Sequence, residues 1–171
     1  MNTSTGTKNE DEERERRAPR AATLTLDQIL EAFARDQAQH MTGGPASETD
    51  LREHERAIGK PLAGSLRAFL SRFGGGLFYH GHEIFGPHRV MIHDIELVPD
   101  IMSVRRRLGR EGMDLPEGLI PFHRARGLIH FMDLRQGGDA VLSLPWSAPC
   151  HDLPSFLETV VLPRPVLPER G

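Results

Sequence analysis

Residues Leu62 to Gly76 read Leu-Ala-Gly-Ser-Leu-Arg-Ala-Phe-Leu-Ser-Arg-Phe-Gly-Gly-Gly. Leu62, Leu66, Phe69, Leu70 and Phe73 recur at helical spacing and form one apolar stripe, with Arg67, Ser71 and Arg72 on the opposite side. The run Gly74-Gly75-Gly76 must stop that helix, because glycine reaches the left-handed conformation that helix ends use. Just upstream, Ser47-Glu48-Thr49-Asp50 has the form of a helix start. Ser47 can accept a backbone N–H bond there, and early carboxylates favour the positive end of the helix dipole. That acidic helix runs through Leu51, Glu53, Glu55 and Ile58 and ends at Gly59. The chain therefore spells acidic helix, turn, apolar helix and glycine stop, followed by the strand-like Leu77-Phe78-Tyr79-His80.

Around this centre the pattern predicts helices grouped about short strands. A helix opens at Thr25 and carries Leu26, Ile29, Leu30 and Phe33 on one face; Thr42-Gly43-Gly44-Pro45 is predicted to end it. Strands are predicted at 77–80 and 82–85, broken at Gly81, with a third at 89–93. Asp94 to Gly112 reads as loop and helix, with Pro99 tolerated in a first turn and Ile101, Met102, Arg105 and Leu108 spaced for a partly apolar face. Further strands are predicted at 119–123, 128–134 and 140–144, with Gly137-Gly138-Asp139 as a hairpin turn. A last amphipathic helix builds on Leu153, Phe156, Leu157, Val160 and Val161. Hairpin-linked strands without alternating βαβ units give an α+β domain, mainly antiparallel, over residues 23–162. It is flanked by a charge-dense disordered tail at 1–22 and a Pro-rich tail at 163–171.

Composition narrows the function classes. With 171 residues and 38% hydrophobic content, one domain with its own core is expected. The single cysteine, Cys150, precludes an intramolecular disulfide and fits a reducing cytoplasm. No apolar run opens the chain or approaches the length of a membrane span, so neither signal peptide nor anchor is expected. A net charge of −3 argues against a general nucleic-acid binder.

The chemistry-bearing residues do not assemble into an active site. His80, His82, His88 and His93 lie close together beside Glu83 and Asp94. A His-x-His on one strand would put His80 and His82 on one face, as a metal-dependent enzyme would need. The segment offers no third ligand at a recognised spacing, so the expectation is no metal, no cofactor and no catalytic residue. Ser47, Ser65 and Ser155 have helix-start roles, and no nucleophile elbow occurs. Arg105-Arg106-Arg107 with Arg110 is the one dense basic patch, and it reads as a solvated helix face without stacking aromatics. Trp146, in a Pro-flanked loop, is an interface candidate.

This order of signals resembles the SUKH superfamily, which includes a yeast cell-wall synthesis regulator and many bacterial toxin-immunity proteins. The family's Leu-Gly turn appears here as Ile58-Gly59, its Leu-Pro pair as Leu62-Ala63, and its aromatic position holds Leu66. Phe69-Leu70 match its Phe-Leu pair, and its Asn-Gly-Gly stop reads Gly74-Gly75-Gly76. Ile84-Phe85-Gly86, Leu119-Ile120-Pro121-Phe122 and Ser155-Phe156-Leu157 fit later family pieces, so the resemblance spans 47–162. It implies a protein-binding domain without chemistry of its own. The first expectation is an immunity protein that binds and neutralises a cognate toxin such as a nuclease; the second is a regulatory scaffold, and a metal-dependent enzyme using His80 and His82 ranks last. Tyr79, Glu83, Asp94, Glu96 and Trp146 are the residues expected to meet the partner, with the carboxylates steering a basic surface.

Overall fold

A computed structural model describes residues 22–143 and 151–163. The expected tails, and the loop holding Trp146 and Cys150, fall outside the described residues except for Ala22 and Pro163. Helix α1 (Leu26–Arg35) starts at a capping box in which the Thr25 side chain and Gln28 satisfy each other's backbone N–H groups. It stops well before the predicted Gly43. Beyond Arg35 the polar run Asp36-Gln37-Ala38-Gln39 offers no large apolar position to hold a further turn against the core. A short 3₁₀ turn (Gln37–Gln39) leads instead to a strand that the sequence pattern does not announce, β1 (His40–Thr42), paired with β2 (Gly76–Phe78).

The two diagnostic helices stand where their signals put them. Helix α2 (Glu48–Ile58) is capped by Ser47 with Asp50 and closed by Gly59 at φ 80°. Helix α3 (Gly64–Phe73) is closed by Gly74 at φ 72°. The glycine run does more than stop the helix. A Cβ on Gly74 would lie 1.9 Å from the Gly44 carbonyl oxygen, and one on Gly86 would lie 1.5 Å from that of Gly74. Three backbone segments touch here, and only glycine permits the approach.

Seven described strands form one sheet in the order β1-β2-β3-β6-β7-β8-β9, every neighbouring pair antiparallel. They are completed by β3 (His82–Ile84), β6 (Leu119–Ala125), β7 (Leu128–Asp133), β8 (Ala140–Ser143) and β9 (His151–Asp152). β4 (Val90–Ile92) and β5 (Ile95–Val98) make a separate hairpin. Two strand expectations need correction. Tyr79 and His80 form a turn at φ 46° and 56°, so β2 ends at Phe78. Residues 95–98, expected as loop, are a strand that pairs with β4 and lies against β2.

Helix α4 (Ile101–Arg110) follows, capped by Asp100 and packed on β6. The last helix, α5 (Leu153–Phe156), is capped by Asp152 and widens into a π-helical turn over Leu157–Val161. The Glu158 carboxylate on that turn accepts hydrogen bonds from the backbone N–H groups of Thr23 and Leu24 and from the Thr23 hydroxyl. The molecule is thus an α+β domain of helices on an antiparallel sheet. Within its core the rings of Phe33, Phe69 and Phe78 meet, with centroids 5.4–5.5 Å apart. All three rings are buried, and the T-shaped Phe33 contacts add to their burial.

Candidate protein-binding face

The β4–β5 hairpin is anchored at one end and bare at the other. Val90 and Val98, its base, are buried, whereas Met91, Ile92 and Ile95 toward its tip are 49%, 38% and 72% exposed. Ile92 and Ile95 are cross-strand partners that flank the turn His93-Asp94, where His93 takes φ 51°. An apolar cluster at a hairpin tip is the kind of surface that partners cover. Each side of it carries charge: Asp94 sits in the turn, and Glu96 lies 3.5 Å from the Arg89 guanidinium.

The structure brings together two of the residues expected to meet a partner and separates the others. Asp94 and Glu96 share the hairpin. Tyr79 and Glu83 lie on the β2–β3 unit and already have internal partners. The Tyr79 hydroxyl donates to Asp36 at 2.8 Å, and its ring packs edge-on to His40 with centroids 4.6 Å apart. Burial and that carboxylate push the Tyr79 phenol well above its usual range. Glu83 accepts two N–H bonds from Arg124, both groups being mostly shielded from solvent. Trp146 lies outside the described residues. The apolar pair Ile92 and Ile95 is absent from the expected contact residues because a loop at 95–98 leaves the two no shared surface, while Met91, opposite Glu96, belongs to the other face of the hairpin. A signal for the hairpin does exist: Val-Met-Ile and Ile-Glu-Leu-Val flank a two-residue His-Asp turn.

The histidines regroup entirely. With His80 in a turn and His82 in β3, the two do not share a strand face. His82 Nδ1 lies 3.0 Å from His123 Nε2, and His123 Nδ1 lies 3.0 Å from His130 Nδ1. The chain of rings is assembled by the β3–β6–β7 register, aided by a bulge between Pro121 and His123 where proline cannot donate to the ladder. His123 is fully buried against Phe156, and its imidazole is pushed down to about 3 by burial, then by His130 and His82. Both nitrogens of His123 are turned toward neighbouring rings, so the three do not converge on one point. Among the described residues no group of three or more His, Cys, Asp or Glu is arranged to hold a metal ion. The rings line an open groove of about 740 Å³ that the π-turn residues Thr159 to Val161 border.

The arginine run is also not uniform. Arg105 turns inward and donates to the carbonyls of Leu115, Pro116 and Leu119, fixing the entry to β6. Arg106, Arg107 and Arg110 remain on the outer side, lining a cleft with Arg89.

The helix–glycine–strand order, the central strands of the antiparallel sheet and the hairpin all lie in the stretch that decides the assignment. The SMI1 / KNR4 family (SUKH-1) model matches residues 45–142, more than half of the chain. The chain belongs to that family. No curated protein matches it. The SMI1 / KNR4 match runs from the lead-in to α2 into β8, so it includes the β4–β5 hairpin but neither α1 nor the π-turn. SUKH membership makes protein–protein interaction the general role of the domain, in a family that is generally non-catalytic. Among the described residues no helix is long and apolar enough to cross a membrane.

Proposed function

We propose that this SUKH domain is a cytoplasmic bacterial immunity protein that neutralises a cognate protein toxin by docking, without catalysis. The observation that carries the reading is the exposed Ile95, at 72%, on a hairpin whose base is buried in the core. A rigid base with a bare apolar tip is preorganised for binding, because little conformational freedom is lost when a partner covers it. Asp94 and Glu96 beside it supply a charge that orients a basic toxin surface. Tyr79 and Glu83 would stand at the margin of the contact, positioned by Asp36 and Arg124.

The test uses the product of the neighbouring gene as the candidate toxin. Wild-type protein should bind it and protect cells that produce it. Ile95→Asp should weaken binding at least tenfold with an unchanged melting temperature, as expected for a central anchor. Glu96→Lys should slow association at low salt, with the difference shrinking as salt screens it. Full binding and protection by Ile95→Asp would remove the hairpin from the interface. Absence of binding to any toxin, with capture of resident cell-wall synthesis proteins instead, would favour the regulatory scaffold.

A further inference from the structure

We propose that the cleft between the β4–β5 hairpin and α4 is a binding site for a multiply charged phosphoryl group. The cleft, of about 280 Å³, is lined by Arg89, Arg106, Arg107 and Arg110, with Ser103 and Glu96 also in its wall. Its size suits a phosphate or pyrophosphate group better than a folded segment of another protein. Glu96 borders both this cleft and the proposed docking surface, but Arg106, Arg107 and Arg110 take no part in the docking reading, so variants at Arg107 and Arg110 test the cleft separately.

The charge balance around the cleft is what points to an anion. The two carboxylates beside it are already occupied. Asp100 caps α4 through the Ser103 backbone N–H at 2.8 Å and hydroxyl at 2.6 Å, and it lies 3.3 Å from Arg89. Burial alone would raise the Asp100 carboxyl, but the Ser103 bonds and the Arg89 and Arg106 guanidinium groups hold it below its usual range, so it stays ionised. Glu96 faces the same Arg89. Arg106 donates to the Ser103 hydroxyl at 3.0 Å. Arg106, Arg107 and Arg110 have no ion-pair partner among the described residues.

Arg35, Arg56 and Arg126 also lack an ion pair among the described residues, so what sets this cleft apart is the gathering of four arginines in one place. Elsewhere Arg67, Arg72, Arg124 and Arg135 each hold a carboxylate within 2.8 Å. Complementing the α4 dipole accounts for basic residues in its last turn, namely Arg107 and Arg110, but not for the arrival of Arg89 from the strand side. Three guanidinium groups with no carboxylate at ion-pair distance exceed what one carboxylate can neutralise, and their planar forks match the tetrahedral oxygens of phosphate. No aromatic ring lines the cleft, so a nucleic-acid base would find no stacking surface.

The experiment is isothermal titration of the full chain with inorganic phosphate, pyrophosphate and a phosphomonoester such as glycerol phosphate, at constant ionic strength set with sodium chloride. Saturable binding at about millimolar concentration or below is expected, with pyrophosphate tightest. Preference for the phosphomonoester would identify a phosphorylated metabolite as the source, and preference for phosphate or pyrophosphate the free ion. An Arg107→Gln/Arg110→Gln double variant should lose at least tenfold in affinity with its melting temperature retained, while Arg72→Gln, which does not line the cleft and pairs with Glu31, should bind as wild type. No saturable binding up to about 10 mM, equal binding by the double variant, or heats that follow ionic strength alone would each overturn the site.

Discussion

The phenylalanine cluster and the β4–β5 hairpin are both built from large apolar side chains, yet one hides them and the other displays them. Phe33, Phe69 and Phe78 come from two helices and a strand, and every ring is surrounded. Ile92 and Ile95 come from adjacent strands of a two-stranded sheet whose tip stays exposed. Apolar area stabilises a fold only when water leaves it, at about 25 cal/mol per Å². The buried rings therefore determine whether the chain folds, and the hairpin tip determines what the folded chain meets.

The sharpest way to break this contrast is to cut into the phenylalanine cluster. Phe69→Ala should cost about 3–5 kcal/mol, the usual range for a buried phenylalanine, and take much of the stability of an ordinary domain. A melting temperature near that of the parent would show that the ring is not the keystone its surroundings make it. Acid should act next most strongly, and on the buried histidine side of the sheet. His123 is held neutral down to about 3, whereas in the unfolded chain it titrates near its ordinary 6.5. Between those values the unfolded chain binds a proton that the folded chain refuses. Stability should therefore fall as pH falls below about 6.5, by up to about 1.4 kcal/mol per pH unit for this one group. Denaturant titrations of wild type and His123→Gln should show a flatter acid limb in the variant; identical limbs would assign the acid sensitivity elsewhere.

A smaller effect sharpens the same contrast within the core. His54 is buried in α2, burial lowers its pKa, and its Nε2 has no hydrogen-bond partner among the described residues. An unsatisfied buried polar atom costs about 1–3 kcal/mol, so His54→Leu should be neutral or stabilising by about 1 kcal/mol in chemical denaturation. A clear loss would reveal a partner that the ring needs. Smallest of all, Ile95→Asp should change stability by no more than about 0.5 kcal/mol, since the residue is already in water. A larger destabilisation would mean that the hairpin tip belongs to the core after all.

What a sequence discloses here follows the range of the interactions involved. Helices α2 and α3 are legible because Ser47, Gly59, Gly74 and a 3.6-residue apolar period are local signals. The α+β class and the SUKH resemblance follow from their order. β1 is not legible, because a three-residue strand is defined by its pairing partner, whereas β5 is legible only through the two-residue His-Asp turn that joins it to β4. The same limit hides the site. Asp94 and Glu96 can be picked out as charges, but the bare state of Ile95 is a tertiary fact. The histidine chain joins positions 41 and 7 residues apart through strand register, so no spacing rule near His80 and His82 can find it.

The clasp between Glu158 and the Thr23–Leu24 backbone makes the domain close to a ring. Its first described helix and its last are fastened near one another, so the order in which they are synthesised is not what holds them there. A circularly permuted chain, with residues 163 and 22 joined by a short glycine-serine linker and new ends opened at the Gly137-Gly138 turn, should keep the same sheet and the same exposed hairpin. For anyone attaching a label, a probe beside Thr23 and one beside Glu158 would report on the same neighbourhood, although the two residues are 135 positions apart.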